Sequence, residues 1–90
     1  MEKEEHYSLH GRVWPIYTKE HDLVSAITLC DCDYLIKEFG GGIEIWGNYI
    51  VPEAVIEMIA PYVKAGSIMV EHGGETEIYR FCNERFHKAL

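Results

Sequence analysis

Three features of this 90-residue sequence predict an α+β fold, an antiparallel sheet with two helices on one face in the order β-α-β-β-α-β-β. Short segments alternate apolar and polar residues at period two, two others repeat at helical spacing, and glycine clusters separate the later pairs of alternating segments. Two helical segments set among five strand segments fit a sheet covered on one side.

Each element has its own signal. Tyr7, Leu9, Gly11 and Val13 alternate with Ser8, His10 and Arg12, as in a half-buried strand that ends near Trp14-Pro15. Thr18 is a candidate cap for a helix over residues 19–29, with Glu20 and Asp22 in the first turn and Leu23, Ile27 and Cys30 at helical spacing. Tyr34-Leu35-Ile36 and Ile43-Glu44-Ile45-Trp46 flank Gly40-Gly41-Gly42 and read as a hairpin. The alternative continues the first helix to Phe39 and uses Gly40 as its C-cap. A second helix starts at Pro52, with Val51, Val55, Met58, Ile59, Tyr62 and Val63 as an apolar stripe opposite Glu53, Glu57 and Lys64. Pro61 predicts a kink or break at Ala60, and Gly66 marks the end of the stripe. Ile68-Met69-Val70 and Ile78-Tyr79-Arg80-Phe81 flank Gly73-Gly74 as a second hairpin, and Asn83 to Leu90 is either a last helical turn or a tail.

Composition bounds the class. Residues 1–90 suit one domain with one core. No apolar stretch approaches the ~18 residues of a spanning helix, and Met1-Glu2-Lys3-Glu4-Glu5 lacks the pattern of a secretory signal, so a cytoplasmic location is expected. Three cysteines, an odd number, argue against a disulfide framework. Eight basic and fifteen acidic residues give a net charge of −7, which opposes the counterion release that drives binding to nucleic acid. The same charge suits a partner protein with a basic surface, such as one whose groove holds nucleic acid, and by itself also keeps a domain soluble.

Catalytic motifs are lacking. Gly40-Gly41-Gly42 has no following Lys-Ser/Thr, and no nucleophile elbow, His-Glu-x-x-His or Cys-x-x-Cys occurs, so no enzymatic activity is expected. Cys30, Cys32, Cys82 and His87 could complete a tetrahedral structural site for one zinc ion, with His10, His21 or His72 as substitutes for the imidazole. That requires Cys30 and Cys32 to lie in a turn, because residues two apart diverge on a helix. The competing reading packs Cys30 and Cys82 as ordinary apolar thiols. For partner binding, Ile43 and Ile45 would face the core while Glu44, Trp46 and Asn48 face out, with Tyr49 nearby. Exposed Trp and Tyr suit interface anchors, unless another layer covers Trp46, and Glu71, Glu75 and Glu77 could form an acidic rim or be solvated turn residues.

Ala60-Pro61-Tyr62-Val63-Lys64-Ala65-Gly66-Ser67-Ile68, followed by Gly73-Gly74-Glu75 and Ile78-Tyr79-Arg80-Phe81, resembles small proteins of phages and mobile elements. In size, acidity and cysteine content the chain also resembles anti-CRISPR proteins. That resemblance implies a non-enzymatic inhibitor of an effector nuclease that occupies a basic surface or restrains a moving domain, and it assigns a role to no particular residue. The alternatives are an immunity protein, antitoxin or adaptor of another target, or a zinc-stabilised regulatory module.

Overall fold

The alternating segment near the start of the chain becomes β1 (Tyr7–Pro15), and it takes a central place in the sheet. The computed structural model describes residues 6–37 and 40–90. β1 is followed by α1 (Glu20–Leu29), β2 (Asp33–Ile36), β3 (Ile43–Tyr49), α2 (Pro52–Ile59), a 3-10 turn (Ala60–Tyr62), β4 (Val63–His72), β5 (Glu75–Cys82) and β6 (Arg85–Lys88). The six strands form one antiparallel sheet in the order β2-β3-β1-β4-β5-β6. The α+β class and the layer arrangement are therefore as the sequence predicts, with one strand more.

Alternation fixes which face is dry. Leu9 and Val13 on β1, Ile43 and Ile45 on β3, Ile68 and Val70 on β4, and Tyr79 and Phe81 on β5 are buried together with Leu23 and Ile27 of α1 and Val55, Ile56 and Ile59 of α2. A one-residue slip in any strand would turn its apolar set to solvent, so the register is strongly specified. β1 and β4 approach so closely that a Cβ on Gly11 would lie 2.2 Å from the Ser67 carbonyl oxygen and one on Gly66 2.3 Å from the Arg12 carbonyl oxygen. Only glycine fits at either position.

Local chemistry ends each element. Cys30 caps α1, Asp31 follows with φ 61°, and the Asp31 and Cys32 amides donate to Thr28 and Ile27 carbonyls at 3.0 and 3.2 Å. These are the paired bonds of a Schellman stop, and they carry Cys32 into the core beside Ile27. The glycine pair after β4 has φ values of 57° and 84°, and Asn83 and Glu84 after β5 have 45° and 72°, as two-residue hairpin turns of type I′ require.

Several expectations change. Thr18 does not cap α1: it sits at φ 72° in a turn closed by the Lys19 amide donating to the Ile16 carbonyl at 2.9 Å, and Lys19 holds the N-cap position. α1 stops at Leu29, which removes the extension to Phe39, a residue outside the described set. Pro61 does break the second helix at Ala60, but Val63 to Gly66 then starts β4, so Gly66 is a strand glycine. Of the predicted stripe, Val51 before α2 and Met58 within it are 61% and 48% exposed, and Ile56 is buried instead. The segment after Asn83 is neither helix nor tail over Arg85–Lys88, because those residues pair with β5.

Candidate binding face

Both helices lie on one side of the sheet, and no element among the described residues covers the other. Residues of that open face fall into rows set by the register. One row runs Asp33, Trp46, His10, Met69 and Ile78 across β2, β3, β1, β4 and β5. The next runs Leu35, Glu44, Arg12, Ser67, Arg80 and His87 from one edge of the sheet to the other. None of these side chains is buried. Trp46 is 42% exposed, and it shares a shallow groove with His10, Arg12, Glu44, Ser67 and Met69.

The two tryptophans show what the strands and the loop do. Trp14, also on this face, donates its indole N–H to the Gly40 carbonyl at 2.7 Å and lies against Gly42. The indole of Trp46 has no such acceptor among the described residues. One ring is held by a loop, and the other is left exposed on an interior strand of the sheet.

Several charges on the open face are paired. Arg12 donates to Glu44 Oε1 at 2.7 Å and Lys37 Nζ lies 2.9 Å from the same oxygen. Lys37 and Arg12 together hold the Glu44 carboxyl below the usual carboxylate range. His10 Nε2 lies 3.3 Å from Glu71 Oε1. Arg80, Arg85 and His87 extend the face toward β6. On the opposite side the helices carry Glu20, Asp22, Glu53 and Glu57 and no lysine or arginine. Among the described residues the acidic excess thus lies on the helix side, away from the exposed tryptophan.

This geometry separates residues that the sequence grouped together. Glu44, Trp46 and Glu71 share the open face, as expected for the first two. Tyr49 does not join them: it lies on the helix side and its hydroxyl donates to Cys32 Sγ at 2.7 Å. Burial and then that hydrogen bond push the Tyr49 phenol well above its ordinary range, and burial raises the Cys32 thiol. Glu75 and Glu77 also face the helix side, where Glu77 pairs with Lys88 and both border a cleft with Glu53, Tyr7 and His72. The acidic rim is therefore split between two faces.

The proposed zinc ligands are separated in the same way. Cys30 and Cys32 do lie at a turn, but Cys32 is buried against Tyr49 and Cys30 Sγ contacts Met58 Sδ at 3.4 Å. Cys82 is exposed opposite Arg85, and His87 is on the open face opposite Arg80. Among the described residues no three His, Cys, Asp or Glu side chains are placed to hold a metal ion, so this donor set does not fit a tetrahedral zinc centre as it stands. His10, a substitute ligand, is bonded to Glu71 instead.

Sequence reasoning set Trp46 and Glu44 outward on one strand and missed the neighbours that β1 and β4 supply. His10 and Arg12 were legible as outward residues of the first strand, but that this strand lies between β3 and β4 is decided by non-local pairing. No helix among the described residues is long and apolar enough to cross a membrane. The chain matches no protein-family model, no curated protein and no solved structure.

Proposed function

We propose that this domain is a binding protein with no turnover of its own, and that it engages a protein partner through the open face of the sheet with Trp46 as the anchor. The observation that carries this reading is the exposed indole beside Arg12 and Met69 on three adjoining strands. Trp and Arg are the residue types that dominate interface energetics, and a side chain held on a strand has little backbone freedom to lose on binding. Near-balanced charge on the face, within a chain of net charge −7, does not favour a phosphate backbone as the ligand.

The more specific form of this reading is an inhibitor of a nucleic-acid-handling protein, of the anti-CRISPR kind. It is favoured by the acidic helix layer, which would be drawn first to a basic surface. The open face and the acidic helix layer lie on opposite sides of the domain, so which of them docks can be tested separately. The experiment adds the domain at stoichiometric amounts to a CRISPR effector nuclease and follows DNA cleavage and complex formation. Inhibition without degradation of either protein supports the specific form. Trp46→Ala should then weaken binding by at least ~2 kcal/mol through faster dissociation if the open face docks. Glu53→Lys with Glu57→Lys should slow association, and this effect should fade as salt rises. If the glutamate pair abolishes binding and Trp46→Ala leaves it unchanged, the interface is the helix side. A domain that leaves cleavage unchanged points to an immunity protein, antitoxin or adaptor of another target.

A further inference from the structure

The two edges of the sheet are built differently. β6 carries Arg85, His87 and Lys88, basic residues of the kind that discourage pairing with another chain. β2 presents Tyr34, Leu35 and Ile36, which are 39%, 49% and 48% exposed, with no proline and no cation between Asp33 and Ile36. The Lys37 amide donates to the Gly42 carbonyl at 2.9 Å, which in this register makes Lys37, Leu35 and Asp33 the residues bonded to β3. The backbone N–H and C=O groups of Tyr34 and Ile36 therefore point away from the sheet.

We infer that β2 pairs antiparallel with β2 of a second copy of this chain, about a two-fold axis at Leu35, to make one continuous sheet across a dimer. The outward groups permit two-fold registers centred on Tyr34, Leu35 or Ile36. A centre at Tyr34 sets Asp33 against Leu35, and a centre at Ile36 sets Lys37 against Leu35. Only the centre at Leu35 places Asp33 opposite Lys37 of the other copy twice, with Tyr34 opposite Ile36 and Leu35 opposite itself. Tyr34 and Ile36 then exchange both backbone bonds in each half, so the free edge is satisfied by a self-complementary interface. Lys37, already 2.9 Å from Glu44, lies on the same face as the incoming Asp33.

Sedimentation equilibrium of the full chain over a range of concentrations tests this. The expected mass rises to twice 10.4 kDa. Tyr34→Pro removes an outward N–H and no bond to β3, so it should keep the native circular dichroism and raise the dimer dissociation constant more than about tenfold. Register is tested in a Cys82→Ser background, where Leu35→Cys should form an intermolecular disulfide on mild oxidation much faster than Ile36→Cys. This arm also decides the matter should the proline variant fail to fold. A monomer at all concentrations overturns the inference, including one that takes up a strand from another protein. So does a proline variant that dimerises like the parent, or equal cross-linking at positions 35 and 36.

Discussion

The two faces of the sheet are made by alternate residues of the same strands, yet they differ in almost every property. Among the described residues, the helix side holds the buried cluster from Leu9 to Phe81 and most of the acidic side chains, whereas the open side holds an exposed tryptophan, several paired charges and no residue of that cluster. Because strand side chains alternate with period two, the residues that stabilise the fold and those available to a partner are interleaved in sequence and separated in space. Substitutions on the open side can therefore change binding with little effect on folding, and those on the helix side act in the opposite way.

Changes in the core should break the comparison most strongly. Ile59, fully buried on α2, should cost about 2–5 kcal/mol when truncated to alanine, read from urea unfolding. Gly66→Ala tests the close approach of β1 and β4. With φ at 136° and a carbonyl oxygen 2.3 Å from the added methyl, a loss of about 1–3 kcal/mol is expected in the same assay.

The Cys32 and Tyr49 pair gives the helix side a pH signature. Both groups have folded pKa values raised above the unfolded ones, so the native state keeps protons that the unfolded chain releases. The stability they contribute is complete below the ordinary thiol and phenol ranges and is lost as pH rises through the folded values. Thermal stability should therefore fall from about pH 9 upward, and less steeply in Tyr49→Phe than in the parent. An unchanged alkaline slope in that variant would remove the phenol from the account.

The turn residues with positive φ should move stability the other way. Glu84→Gly gives an Asn-Gly turn and should stabilise by up to about 1 kcal/mol, because glycine adopts the left-handed conformation without the Cβ penalty. The smallest effect is expected at Trp46: alanine there should change unfolding by less than about 0.5 kcal/mol, as for a surface side chain without a structural role. A larger loss would mean that the ring supports the fold, and would weaken the division between the two faces.

Period and turn chemistry made much of this molecule legible from the sequence. The alternation through Val13, the hairpin around residues 40–42, the glycine pair at 73–74 and the proline at 61 are local signals, and local sterics and hydrogen bonding enforce them. The same alternation put Trp46 outward. Positions without a favourable residue type were harder to read. Asp31 and Glu84 take left-handed conformations usually given to glycine or asparagine, so neither the Schellman stop nor the last hairpin is marked by its usual residue.

Only the tertiary structure decided which strands meet. β1 lies between β3 and β4 through contacts that span most of the chain, and no local pattern encodes that order. It determined that Trp46, His10, Arg12 and Met69 share one groove, that Tyr49 turns to Cys32, and that Glu75 and Glu77 leave Glu71 on the opposite face. It also dispersed Cys30, Cys32, Cys82 and His87. Sequence spacing fixes the side of a strand on which a residue stands, because the pleat is local. Which residues become its neighbours depends on pairing across the sheet, where burial of the whole core selects one arrangement.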